Sequence, residues 1–129
     1  MTYVDGFLLP VPTAKLAQYR KFARLGAKIW MEHGALDYKE CVADDLNLLV
    51  PREDGKGLQK VPSIMPGMVK AKRGETVVFS YIVFRSRAHR DRVNKKVISD
   101  PRMGGLDPSD MPVDMTRMGY GGFKAFVEG

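Results

Sequence analysis

Three polar side chains stand inside segments of the chain that are otherwise largely apolar. Asp5 lies in YVDGFLL near the N-terminus, Glu40 lies in ALDYKECVA, and Ser80 lies in ETVVFSYIVF. Each segment has the composition of a β-strand, so these side chains are expected to lie in or beside the protein core. A buried carboxylate needs a charged or hydrogen-bonding partner, or its pKa shifts, and carboxylates with shifted pKa values are typical of functional sites.

Together these residues predict a small-molecule pocket between a sheet and its helices, in which a carboxylate or a histidine acts as a general base. The candidate catalytic residues are Asp5, Glu40 and His33, and the candidate ligand-binding residues are Tyr81, Ser80 and Trp30. For Trp30 the alternative is a place in the core. No cofactor is expected in this pocket.

A structural role for the two carboxylates is the alternative. Asp5 and Glu40 would then form ion pairs that fix the register of the sheet or of a dimer. Arg85, Arg117, Lys124 or a residue of a partner chain could supply the positive charge. The sequence alone does not decide between a pocket and a structural ion pair.

Cysteine and histidine are too scarce for several other kinds of site. The chain has one cysteine, Cys41, and two histidines, so it can form no internal disulfide and no cysteine-based zinc site. His33 and His89 lie in different predicted helices without an acidic residue at ligand spacing, so we expect no metal. The glycine-rich run Gly119–Lys124 is neither a P-loop nor a dinucleotide-binding motif.

Length and composition are those of an ordinary globular domain. The chain has 129 residues, of which 44% are hydrophobic and 28% are charged, and we expect one domain that covers residues 1–129. No apolar run reaches the roughly 18 residues of a membrane-spanning helix. Asp5 interrupts the first apolar run, which is not the pattern of a signal peptide. With a single thiol, these features predict a cytoplasmic protein that has no membrane partner.

The formal net charge of +6 is concentrated in the two predicted helices and the connection between them. The basic side chains of the second helix are Arg87, Arg90, Arg92, Lys95 and Lys96. Such a helix could bind nucleic acid or another anionic partner, but it offers few aromatic side chains for base stacking. A solvated outer helix accounts for the same charge, so we rank nucleic-acid binding last among the functions considered.

Hydrophobic periodicity predicts four strands and two long helices. The predicted strands are Tyr3–Leu9, Ala35–Ala43, Thr76–Phe84 and Arg117–Val127, and the predicted helices are Thr13–His33 and Ser86–Asp100. Thr13 and Ser86 are the expected N-caps, and Gly34 is expected in the left-handed conformation just past the first helix. Pro10 and Pro12 are expected to end the first strand, because proline donates no ladder hydrogen bond.

Two segments have no long periodic pattern. Asp44–Gly74 is an unusually long connection, with an exposed tip at Arg52–Lys60. Val61–Val69 is apolar enough to pack down, with a short helical turn. A turn-rich loop is predicted at Asp107–Asp114.

The order of elements predicts an α+β, ferredoxin-like βαββαβ fold, with a four-stranded antiparallel sheet and two helices on one face. One face of the third predicted strand carries Val77, Phe79, Tyr81 and Val83, and the other carries Val78, Ile82 and Phe84. Since both faces are apolar and helices cover one of them, the other should not stay in water. We therefore expect a homodimer through the sheet face away from the helices.

Five stretches spread along the chain carry a resemblance to a known family. They are YVDGF, EHGAL, VKAKRGETVVFSYIVF, RDRVNKKVISDPRM and RMGYGGF. The chain resembles the YbaA-like family of small bacterial proteins, a domain of unknown function, over nearly its whole length. The resemblance implies a dimeric α+β barrel, in which two ferredoxin-like sheets pack face to face, and it implies no reaction, ligand or catalytic residue. Related barrels include several kinds of enzyme, but a fold does not carry an activity with it.

Three functions stay open, and whether the protein is an enzyme stays open with them. The first is a homodimer that binds a small molecule, or a cofactor-independent enzyme of the dimeric α+β barrel type. The second is a non-catalytic partner-binding or structural module that uses the connection 44–74. The third is a nucleic-acid-binding module that uses the basic second helix.

Overall fold

The computed structural model describes residues 1–104 and 111–129. The described residues form six strands: β1 (Tyr3–Pro12), β2 (Asp37–Val42), β3 (Asn47–Pro51), β4 (Leu58–Pro62), β5 (Glu75–Phe84) and β6 (Gly119–Lys124). They also form four helices: α1 (Leu16–Glu32), α2 (Met65–Met68), α3 (Arg87–Ile98) and α4 (Pro101–Gly104). Short 3-10 turns precede α1 at Thr13–Lys15 and β6 at Met115–Arg117.

Four of the strands form an antiparallel sheet in the order β2-β5-β1-β6. The most apolar strand, β5, lies in the interior of this sheet, while the alternating strand β2 lies at its edge, as their sequence patterns predict. Strands β3 and β4 form a separate two-stranded antiparallel sheet, with Leu48 opposite Val61.

The predicted fold class is wrong. A ferredoxin-like βαββαβ fold that forms a dimeric α+β barrel has one sheet of four strands and two helices, whereas the described residues form two sheets and four helices. The connection 44–74 holds most of the difference, because it contains β3, β4 and α2, and α4 follows α3. The predicted exposed tip Arg52–Lys60 includes the turn of the β3–β4 hairpin and three of the five residues of β4. The first four residues of the predicted loop Asp107–Asp114 lie outside the described residues.

Strand β1 runs through both prolines that were expected to end it. Thr13 donates its backbone N–H to the Gly74 carbonyl on the β5 side. Because strand residues alternate, Pro10 and Pro12 direct their nitrogens to the opposite side. There β6 pairs with β1 only as far as Leu8, so neither proline removes a ladder hydrogen bond.

The two long helices begin differently. The side-chain oxygen of Ser86 accepts a hydrogen bond from the backbone N–H of His89 at 3.1 Å, which confirms Ser86 as the N-cap of α3. Thr13 does not cap α1, because Thr13 begins a 3-10 turn that precedes the helix. Gly34 follows α1 with a φ of +112°, as predicted. Among the described residues, no helix is both long and apolar enough to cross a membrane.

The core lies between one face of the four-stranded sheet and the helices α1 and α3. One cluster contains Tyr3, Ile29, Phe84, Val93 and Val97, and a second contains Leu9, Val11, Tyr19, Ala23 and Val78. Both clusters join alternate residues of β1 and β5 to the apolar stripe of a helix. This face is called the helix face below.

The opposite face of the sheet, called the open face, carries apolar side chains that stay exposed. In the register of the sheet, this face includes the half-buried Val4, Leu8, Tyr81 and Val83, the exposed Phe79 and Phe123, and Val77, which is buried. The side chains of Phe79 and Phe123 are 44% and 61% exposed. Two exposed phenylalanines on one apolar sheet face, on the two strands that flank β1, are unusual for a monomer.

Candidate functional site

A cavity of about 220 Å³ lies between the helix face of the sheet and α1. It is called the inner cavity below. Its apolar lining is Phe7, Leu9, Phe22, Trp30, Ile82, Met103, Met111, Val113, Met115 and Met118, and its polar lining is Tyr19, Tyr38, Glu40 and Ser80. The cavity therefore has apolar walls with a few polar groups on one side, the usual composition of a small-molecule site.

The spacing of residues on α1 shapes one wall of this cavity. Tyr19, Phe22, Gly26 and Trp30 follow one another at steps of three and four, so they share the face of the helix that meets the sheet. A side chain at Gly26 would approach the Tyr38 hydroxyl to 3.3 Å. The glycine therefore leaves room for that hydroxyl to reach its partner.

Two tyrosine hydroxyls hold the Glu40 carboxylate. The hydroxyl of Tyr19 donates to Oε1 at 2.6 Å, and that of Tyr38 donates to Oε2 at 2.7 Å. Burial, reinforced by the adjacent Glu40, raises the pKa of both tyrosines far above the ordinary value of 10. Both hydroxyls therefore remain protonated donors, and Glu40 is the acceptor of each.

A second cavity, the outer cavity, lies on the other side of these three residues. Its volume is about 270 Å³, and Tyr19, Tyr38 and Glu40 line it as they line the inner cavity. Arg20 and Arg24 also line the outer cavity, but the ion pairs of the described residues include none with Glu40. The six remaining residues, 105–110, have no basic side chain.

Asp5 has a different environment, with a cation at its side. Its side chain is 2% exposed, and Arg90 Nη1 donates to its Oδ1 at 2.8 Å. The side chain of Asn94 lies beside the same carboxylate. Burial raises the pKa of Asp5, while Arg90 and Asn94 oppose that shift.

The ion pair of Asp5 belongs to a wider network that joins the sheet to both long helices. Trp30 Nε1 donates to Asn94 Oδ1 at 3.0 Å, and the Arg90 guanidinium lies 4.9 Å from the centre of the Tyr3 ring. A third cavity of about 200 Å³ touches Asp5, Asn94 and Trp30. Asp5 lies among Arg90, Asn94 and the sheet. These surroundings fit a residue that stabilises the fold.

His33 and Tyr81 lie away from the cavities. His33 Nε2 lies 2.8 Å from Asp100 Oδ2, in a surface cluster with Arg102 and Glu32, and Arg102 and His33 together lower the pKa of Asp100. Tyr81 lies on the open face, where its ring centre is 5.8 Å from the Lys39 ammonium nitrogen.

The structure thus divides the six candidate residues. Glu40, Ser80 and Trp30 line the inner cavity together, Asp5 lies at the adjacent third cavity, and the other two lie elsewhere. The sequence did not identify the partners of the two carboxylates, which are Tyr19, Tyr38, Arg90 and Asn94. Only Tyr38 had a local signal, because it lies two residues from Glu40 on the same face of a predicted strand.

Other chemistries find little support in the described residues. Within residues 1–104 and 111–129, no three His, Cys, Asp or Glu side chains come close enough together to hold a metal ion. Of the five basic side chains of α3, Arg90 is taken up by Asp5. One basic side chain of α3 is therefore not available to bind nucleic acid.

Comparison with known proteins gives a family but no activity. Over residues 2–115 the chain matches the family described as "Protein of unknown function (DUF1428)". It is 43% identical over 128 residues to the uncharacterized protein YbaA of Escherichia coli (strain K12), with 99% of each chain covered, and equally similar to YbaA of Shigella flexneri. The resemblance to the YbaA-like family is confirmed. Among solved structures, the de novo designed protein Foldit4 aligns over 97% of this chain and 99% of its own with 9% identity, and its TM-score of 0.45 is too low to support an argument.

Proposed function

This chain belongs to the DUF1428 family of proteins of unknown function, and we propose that it is a homodimer that binds a small, largely apolar molecule beside Glu40. The observation that carries the proposal is the inner cavity, where a carboxylate held by two hydroxyls borders an apolar space of about 220 Å³. Apolar walls supply affinity, and a few fixed polar groups supply orientation.

The volume of the cavity suits a ligand of one ring with a short substituent. An apolar cavity of roughly 150 Å³ takes up benzene, and the inner cavity is larger than that by about half. Four methionines, Met103, Met111, Met115 and Met118, contribute to its wall. Methionine side chains adapt their shape readily, which suits a wall that must close around a bound molecule.

Binding is tested with 2-phenylethanol, a neutral probe of this size, by titration of the ¹⁵N-labelled protein in solution. We expect shifts of the Trp30 indole signal and of the backbone signals of Tyr38 and Ser80. Ser80→Leu should abolish these shifts, because it fills the cavity from the centre of the sheet. Ser99→Leu, at an exposed position after α3, is the control and should leave them intact. Shifts confined to residues outside the cavity lining would contradict the proposal.

Support for the homodimer comes first from the surface area. A compact monomer of 14.5 kDa should expose about 6,900 Å², whereas this chain exposes 8925 Å². The excess of about 2,000 Å² lies within the roughly 1,000–2,500 Å² that each subunit of an obligate homodimer buries. A second copy of this chain is the partner we propose for the open face.

The β3–β4 hairpin is a second region that a partner subunit would cover. It exposes Leu48, Leu49, Leu58 and Val61 by 59%, 62%, 58% and 38%. An isolated two-stranded hairpin is marginally stable at best in water. Contact with the second subunit would therefore stabilise the hairpin as well as the open face.

The dimer is tested by measuring molar mass with light scattering during size exclusion. Phe79→Glu combined with Phe123→Glu should convert the protein to a monomer that remains folded, because each change places a charge in the proposed interface. Met31→Glu is a matched control, since Met31 on α1 is as exposed as Phe79, at 44%. A monomeric unmodified protein would overturn the dimer, and capture of a different chain by the hairpin would assign that surface to another partner.

A further inference from the structure

The Glu40 carboxylate has spare capacity to accept hydrogen bonds. A carboxylate offers about four acceptor sites, and the hydroxyls of Tyr19 and Tyr38 use one on each oxygen. The remaining sites adjoin the inner and outer cavities, because Glu40 lines both. A ligand in the inner cavity that reaches Glu40 must therefore bring a hydrogen-bond donor.

No ion pair among the described residues neutralises the charge of Glu40, although Arg20 and Arg24 line the outer cavity with it. Both of its oxygens accept hydrogen bonds from hydroxyls, which is the pattern of an ionised carboxylate. Among the described residues no Lys, Arg or His forms an ion pair with it, in contrast to Asp5 and Arg90. Tyrosine hydroxyls donate hydrogen bonds without neutralising charge, so a cation beside Glu40 would be favourable in this partly buried setting.

Aromatic rings surround the same space. Phe7, Phe22, Trp30 and Tyr38 line the inner cavity, and the rings of Trp30 and Tyr38 lie 6.2 Å apart between centroids. The faces of aromatic rings attract cations, most strongly in desolvated sites. No positively charged side chain lines the inner cavity among the described residues, so an anionic ligand would meet Glu40 without compensation.

We propose that the ligand of the inner cavity is a small aromatic or branched aliphatic amine, bound as its ammonium ion with the nitrogen at Glu40. This inference rests on the proposed function and names the chemical class of its ligand. The apolar part of the molecule lies against the methionines and aromatic rings. The ammonium group lies between the Glu40 carboxylate and the aromatic side chains beside it.

Three probes of nearly equal size separate charge from shape. They are 2-phenylethylamine, 2-phenylethanol and phenylacetate, which at neutral pH are a cation, a neutral donor and an anion. Calorimetric titration of the unmodified protein should show that the amine binds at least about tenfold more tightly than the alcohol, as a hydrogen bond between two charged groups would give. Phenylacetate should bind more weakly than either.

Glu40→Gln removes the charge and keeps the shape of the side chain. We expect it to lower the affinity for the amine by about tenfold or more and to change the affinity for the alcohol by less than about threefold. Glu53→Gln is the matched control, because Glu53 is exposed in the turn of the β3–β4 hairpin and should change neither affinity. Should Glu40→Gln fail to fold, the comparison of the three probes in the unmodified protein still decides.

The outcomes distinguish the two proposals. If the alcohol or phenylacetate binds as tightly as the amine, the amine class is wrong while the binding site stands. If the amine loses no affinity in a folded Glu40→Gln protein, its nitrogen does not lie at Glu40. If neither the amine nor the alcohol binds, the proposed function itself fails.

Discussion

Two carboxylates on the helix face of the sheet, Asp5 and Glu40, differ in what surrounds them. Asp5 is 1% exposed and has a guanidinium at 2.8 Å together with an amide. Glu40 is partly exposed, has two tyrosine hydroxyls, and borders two cavities. Asp5 has an ion-pair partner within the fold, whereas Glu40 has none among the described residues.

This difference separates a structural group from a binding group. The Asp5–Arg90 ion pair links parts of the fold, here β1 and α3, and supplies the carboxylate with a cation from within the protein. A carboxylate that is oriented by neutral donors keeps its charge available. Substitutions beside each carboxylate, and the pH dependence of stability, test this contrast.

Arg90→Met should be the most destabilising change, because it leaves Asp5 as an uncompensated buried charge. We expect the free energy of unfolding to fall by about 3–5 kcal/mol, the range for breaking one side of a buried ion pair. Urea denaturation measures it. Arg92→Met, at an exposed position of the same helix, should change stability by less than about 0.5 kcal/mol. Equal effects of the two changes would show that Asp5 needs no cation.

Gly122→Ala tests the packing around the same ion pair. A Cβ atom at Gly122 would overlap the hydroxyl of Tyr3, the buried ring that packs against Arg90. We expect a loss of about 1–3 kcal/mol from overpacking, again by urea denaturation. Gly119→Ala, in the same strand, would place its Cβ 3.8 Å from the Leu8 carbonyl oxygen, an ordinary contact, and should be far milder. If Gly122→Ala leaves the free energy of unfolding unchanged, the Tyr3 ring can move aside for the new Cβ atom.

Tyr38→Phe should have a modest effect, since it removes one hydrogen bond and leaves Glu40 with another donor. We expect the free energy of unfolding to fall by about 1 kcal/mol, as for a single hydrogen bond. A thermal melt detects this change. A loss as large as that of Arg90→Met would place Glu40 among the structural carboxylates.

The pH dependence of stability gives the smallest and most specific effect. The pKa of Asp5 is raised above its ordinary value of 3.8 in the folded protein, so just above pH 3.8 the folded chain binds more protons there than the unfolded chain. Stability from this group is therefore present below pH 3.8 and is lost as the pH rises through the folded pKa. Urea denaturation at several pH values should show this loss in the unmodified protein and not in Asp5→Asn. A profile of the same shape in both proteins would contradict it.

The sequence predicted most elements of the large sheet. The prediction failed where the burial of side chains follows no periodic pattern. Strands β1, β2 and β5 have apolar or alternating patterns because at least one of their faces is buried. The β3–β4 hairpin has exposed apolar side chains on both faces, so its residues show no alternation that distinguishes a strand from a loop. This hairpin is one of the elements that the predicted fold class lacked.

The candidate site was predictable only in part, because its partners come from different elements. Tyr38 and Glu40 share one face of a strand, which the alternation of β2 already indicates. Tyr19 reaches Glu40 from α1 across 21 positions of the chain, and no local pattern sets how that helix lies on the sheet. Arg90 is one of several basic residues in α3, and only the packing of α3 against β1 singles it out.

A crystal structure of the protein soaked with 2-phenylethylamine would show whether the inner cavity binds an amine at Glu40. We predict density for the ring between α1 and the sheet, with the nitrogen about 3 Å from a carboxylate oxygen of Glu40. An empty inner cavity under these conditions, or an amine bound at Asp5 with Glu40 untouched, would contradict the account.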